Sequence, residues 1–253
     1  MFARKAKTKS DNLPAKIDDD PGAGVRILSH VIETSSRVQA PAIRSYVDRL
    51  RRANPDSSPA DIVSKLEKHY MAAVMASGAA VGSAALFPGI GTLAALSAAA
   101  GETVVFLEAT TVFVLAAAEV HGISAEHRER RRALVLAVLV GEDSKDALAD
   151  ILGPGRTNGA WLGESAATLP LPALSQLNSR LVKFFVKKYT VKRSALAFGK
   201  LLPMGIGALI GGGGNRIMGK KIVENARLAF GPAPTRWPGT LRALPAIIDH
   251  DGT

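Results

Sequence analysis

Three features of this sequence predict an all-α fold, a helical bundle around a central apolar helical hairpin. Aromatic residues make up only 5% of 253 residues, and few segments alternate in the β-branched pattern of strands. Ala, Leu, Arg, Glu and Lys instead recur at helical spacing. From Met71 to Ala118 the only charges are Glu102 and Glu108, and the first 31 residues of that stretch, Met71 to Gly101, carry none. At this length one domain with a full core is expected, over residues 25–230.

Taken in order, Met1 to Gly24 holds Arg4, Lys5, Lys7 and Lys9, then Asp18-Asp19-Asp20, with no apolar periodicity, and reads as a disordered tail. It lacks the apolar core of a secretory signal, so export by that route is not expected. Val25 to Ala53 reads as helix, with Pro41 in a first-turn position. Ile43, Val47 and Leu50 form one stripe beside Arg44, Asp48, Arg49, Arg51 and Arg52. Asn54 to Ser57 is a turn, and Ser58-Pro59-Ala60-Asp61 supplies an N-cap, a proline at the first helical position and an acid in the first turn. That helix should run without a break through Leu66 and Tyr70 into the apolar stretch.

Within the apolar stretch, Leu86-Phe87-Pro88-Gly89-Ile90-Gly91 divides two arms of helical length. Pro88 cannot donate into a helix interior and Gly89 tolerates positive φ, so the chain should reverse here. Gly78 and Gly82 are spaced as GxxxG, which lets two helix backbones approach closely. The second arm should end near His121-Gly122. Glu126 to Val140 reads as a further helix closing at Gly141, and Asp143 to Leu152 as a short helix stopped by Gly153-Pro154-Gly155. Arg156 to Pro172 is loop-like.

Leu174, Leu177, Leu181, Phe184 and Phe185 then form a helical stripe beside Arg180, Lys183, Lys187 and Lys188, and the basic run continues through Lys192 and Arg193: a basic amphipathic helix. The uncharged run Leu201 to Gly211 contains Gly205 and a second GxxxG at Gly207 and Gly211. After Gly212-Gly213-Gly214-Asn215 a last helix should reach about Phe230, and residues 231–253, rich in Pro and Gly, read as a loosely held tail.

The net charge of +10 is concentrated: Ser165 to Val223 has no acidic residue and ten Lys or Arg, while the remainder holds 22 of each sign. That asymmetry points to an anionic partner. The hairpin arms are long enough to span a membrane. Their drive is marginal, because eight strongly apolar residues from Val104 to Leu115 supply roughly −2.4 to −4.8 kcal/mol while one mid-helix acid such as Glu108 costs about +2.5 to +3.5. The expectation is nevertheless a hairpin associated with the inner face of a cytoplasmic membrane, with Arg180, Lys183, Lys187, Lys188, Lys192 and Arg193 facing anionic lipid. The alternative is a soluble, cytoplasmic all-α binding module using the basic face for a protein or nucleic-acid partner. Nucleic acid is the less favoured partner, because the basic helix lacks interleaved aromatics.

Reactive chemistry has little purchase here. There are no cysteines, which removes disulfides, thiolate metal sites and cysteine nucleophiles. Gly214 to Lys220 matches GxxxxGK, but Lys221 stands where a P-loop needs Ser or Thr. Glu119, His121, Glu126 and His127 cluster without a recognised metal spacing, so no metal or cofactor is assigned. Glu102, Glu108 and Glu119 are candidate buried acids. Glu108 and Glu119, three helical turns apart, either pair with cations from neighbouring helices or form an intramembrane relay. No catalytic residue is nominated, and the chain is read as non-enzymatic.

Leu202-Pro203-Met204-Gly205-Ile206-Gly207-Ala208-Leu209-Ile210-Gly211 with Asn215 and the basic residues after it resembles the C-terminal signature of EcsC-like proteins. The Gly78 to Pro88 region, and Glu119-Val120-His121-Gly122 followed by Arg131-Arg132, are similar too, so the resemblance covers roughly residues 60–230. It implies a bacterial, helical, membrane-associated protein of unassigned biochemical role, associated with a membrane protein or transporter, and it brings no catalytic residues.

Overall fold

The computed structural model describes residues 40–84, 92–152, 169–197 and 206–241. These form seven helices and no strand: α1 (Ala40–Arg52), α2 (Pro59–Ala84), α3 (Thr92–Val120), α4 (Arg128–Val140), α5 (Asp143–Leu152), α6 (Leu171–Ala197) and α7 (Ile206–Phe230), followed by a 3₁₀ turn at Gly239–Leu241. The most extensive contacts are α2 with α7, α2 with α3, and α4 with α6. The protein is an all-α helical bundle. The expected reversal at Pro88 and Gly89 lies outside the described residues, as do Gly205 and the tail before residue 25.

Local signals set the helix ends. At the start of α2, the Ser58 backbone N–H donates to the Asp61 carboxylate at 2.9 Å and the Asp61 N–H donates back to Ser58 Oγ at 3.2 Å, a reciprocal capping box around Pro59. At the end of α3, Ile123 N–H reaches Ala118 O and Gly122 N–H reaches Glu119 O, both at 2.9 Å, with Gly122 at φ +76°. That pattern is a Schellman motif. Gly141 and Gly231 close α4 and α7 with φ near +75°.

Burial follows packing. The second half of α3, from Phe113 to Val120, and α4 from Ala133 to Val140 are buried at every position. Around them lie Ile62, Leu66, Tyr70 and Val74 of α2, Leu174, Leu177 and Leu181 of α6, and Ile222, Ala226 and Phe230 of α7. Tyr70 stacks on Phe113 with ring centroids 4.9 Å apart, and its hydroxyl meets Thr110 at 3.1 Å.

Several expectations are corrected. No helix among the described residues is long and apolar enough to cross a membrane. The Ala, Gly and Ser of the arms contribute too little hydropathy, and the first turns of α2 carry Asp61, Lys65, Glu67 and Lys68. The apolar stripe of the basic helix is also committed elsewhere. Leu174, Leu177 and Leu181 are buried in the core, and α6 packs on α4 and α5, so that stripe does not face lipid. An anionic membrane surface, a transporter partner and an inner-face location therefore lose the features that suggested them.

Two further segments differ from expectation. α7 begins at Ile206 and runs unbroken through Gly211 to Gly214, where a break had been expected. Glycine costs a helix roughly 1 kcal/mol per residue relative to alanine, so packing against α2 outweighs the local preference. From Gly231 to Leu241 the chain is held, and the rest of the expected loose tail, residues 242–253, lies outside the described residues. Buried Arg51 donates to Leu241 O and stacks over Trp237, its guanidinium carbon 4.3 Å from the ring centroid.

Candidate binding groove

The α2–α7 pair is antiparallel, as three contacts along it establish. Asn215 Nδ2 donates to Val74 O at 3.0 Å, Gly219 lies against Met71 and Val74, and Arg227 meets Glu67 near the other end. Gly219 permits the close approach: a Cβ there would sit 2.9 Å from Met71 Sδ and 3.0 Å from Val74 Cγ2. It is the second glycine of the GxxxxGK match. It stands in mid-helix with helix on its N-terminal side, so the strand and phosphate-binding loop of a nucleotide site are missing.

On the outer side of this pair runs an open groove of about 760 Å³, lined by Met71, Ala72 and Met75 of α2 and by Val223 of α7, with Glu67, Lys68, Lys220, Glu224 and Arg227 along its edges. Its floor is apolar. Its acids are engaged: Arg227 grips Glu67 through Nε at 2.7 Å and Nη2 at 2.6 Å, and Lys221 lies 3.5 Å from Glu224. The Glu67 carboxylate, by hydrogen bond first and charge second, raises the pKa of Arg227. Lys68, Arg216 and Lys220 are exposed and have no acidic partner within ion-pair distance among the described residues. Arg216 and Lys220, at i and i+4, project from one side of α7.

The candidate acids separate. Glu119 is buried and meets Arg44 of α1 at 3.2 Å, while the same guanidinium reaches exposed Glu126 at 2.8 Å. Burial raises the pKa of the Glu119 carboxyl, and Arg44 opposes that rise. The Arg44 hydrogen bond and charge lower the pKa of Glu126. Glu108 is exposed, not buried: it shares an open side of α3 with Val105, one turn earlier and 44% exposed. Glu102 lies on α3 with its side chain outside the described set.

Of the packing glycines, Gly78 is a buried residue of α2, Gly82 lies further along α2, and Gly207 and Gly211 lie in α7. Arg180 and Lys183 are exposed on α6. Lys187, Lys188, Lys192 and Arg193 continue that helix, with side chains outside the described set. Asn178 ties α6 to the start of α4, donating to Glu129 O at 3.0 Å and to Glu129 Oε2 at 2.7 Å. Sequence reasoning did not single out Glu67, Lys68, Met71, Met75 or Arg227. The available signal was Met71 and Met75 at i, i+4 beside Lys68, which the surrounding apolar run absorbed.

Comparison with protein-family models, with curated proteins and with solved structures found no match.

Proposed function

We propose that this all-α domain is a non-enzymatic binding module that holds an acidic protein segment against the basic rim of the α2–α7 groove. The observation that carries this reading is the charge balance at the groove. Both of its carboxylates are already engaged by cations, while Lys68 and Lys220 have no acidic partner among the described residues. A cleft lined by one sign of free charge favours an oppositely charged partner and speeds its encounter. A nucleic acid is the weaker fit, because no aromatic residue lines the groove to stack on bases. In this reading α2 and α3 are the two arms of one hairpin joined through residues 85–91, and α7 lies against its first arm. The EcsC-like resemblance assigns no residue to the groove and stands apart from the reading.

Lys68→Glu with Lys220→Glu tests it, using a fluorescein-labelled polyglutamate peptide and fluorescence anisotropy. The wild-type protein should bind, bind more weakly as salt is raised, and lose at least about tenfold in affinity in the double variant. Binding unchanged by the two reversals would refute the reading. A single-stranded oligonucleotide that displaces the peptide completely would put a nucleic acid in its place.

A further inference from the structure

We propose that the segment seated in the groove is an amphipathic α-helix with acidic residues flanking its apolar face, lying beside α2 and α7 as a third helix. This rests on the binding-module reading and adds the conformation and composition of the partner.

The first support is an unpartnered apolar stripe. Ala72, Met75, Ala76 and Ala79 are all exposed on α2 and fall at i, i+3, i+4 and i+7, the spacing with which one helix meets another. Met75, in the floor of the groove, is 41% exposed. The small alanines leave room for a helix to approach, and flexible methionines adapt to varied apolar anchors.

The second support is the nature of the walls. Both are helices whose backbone groups are satisfied internally, so an extended segment finds no strand edge to pair with. A polyproline segment would need an aromatic-lined groove, and none of the lining residues is aromatic. A helix satisfies its own backbone and asks the groove only for apolar contact and charge.

The third support is charge complementarity. Lys68 stands on the α2 edge and Lys220 on the α7 edge, so the floor is bordered by a cation on each side. A carboxylate on each flank of the incoming helix would meet Lys68 on one side and Lys220 on the other.

Two labelled peptides of about 18 residues, five helical turns, distinguish this inference from the broader reading. One places Leu at i, i+3, i+4 and i+7 with Glu on both flanks; the other has the same composition scrambled. Binding is followed by anisotropy and by the ¹³C-methyl resonances of the methionines, assigned by single Met→Leu replacements. The amphipathic peptide should bind at least about tenfold more tightly than the scrambled one and shift Met71 and Met75 while leaving Met218 in place. Met75→Glu, or Ala76→Glu as an independent variant, should abolish the preference without moving the thermal midpoint. Equal binding of the two peptides overturns the helix while leaving the basic rim standing, and no binding of either overturns both. Self-association of the free protein that Met75→Glu abolishes would make the occupant a second copy and also overturn the proposal.

Discussion

Arg44 serves two carboxylates at once, one buried and one in water, and that asymmetry makes its removal costly. In Arg44→Gln, Glu119 is left buried without its cation, with an expected loss of about 1.5–3 kcal/mol at pH 7 in urea unfolding. The loss should shrink as pH falls and Glu119 takes up a proton, because burial already favours its neutral form. His121 works in the opposite direction. Its ring stacks on Phe230 with centroids 5.2 Å apart, its Nδ1 lies 2.8 Å from Ala117 O, and burial lowers its pKa below the ordinary 6.5. The unfolded chain therefore binds this proton at higher pH than the folded chain does. Stability contributed by neutral His121 is present above pH 6.5 and is lost as pH falls from there toward the folded value. Thermal midpoints measured from pH 7.5 to 5.5 should decline in the wild type and flatten in His121→Gln.

At the level of elements, the start of α2 was readable from four residues because a capping box involves nothing beyond them. Ser58→Ala should cost about 1 kcal/mol, measured by chemical denaturation, with no change at the groove. The ends of α3 and α4 were equally readable, since glycine at positive φ is a local requirement. α7 was not. A helix through four consecutive glycines is held by the face of α2 opposite it, and no window within α7 contains that information. Gly219→Leu should lower stability by about 1–3 kcal/mol through forced separation of the two helices. The groove escaped sequence reasoning for the same reason, since its edges are brought together only by that crossing.

For the molecule as a whole, composition fixed the class but not the environment, because an apolar helix with small residues suits either lipid or a protein core. What decides is where the buried faces of the helices go, and among the described residues α2 packs on α7 and α3 while α3 and α6 pack on α4. Arg51 closes the molecule from the other direction. Its bonds to Leu241 O and Asp48, and its stacking on Trp237, pin the segment after α7 onto α1. Arg51→Ala should cost about 1.5–3 kcal/mol and make the chain cleavable by trypsin at Arg236 under conditions where the wild type resists. The same contacts dictate an order of events. Arg51 waits for a partner 190 residues later, Glu67 for one 160 later and Val74 for one 141 later. A ribosome adding about 5–20 residues per second leaves α2 without its principal neighbour for roughly 7–30 seconds. During that interval the alanine- and methionine-rich face of a nascent α2 is open to whatever helix it meets first, so chaperone dependence in the cell should be set by synthesis rate rather than by the stability of the finished fold.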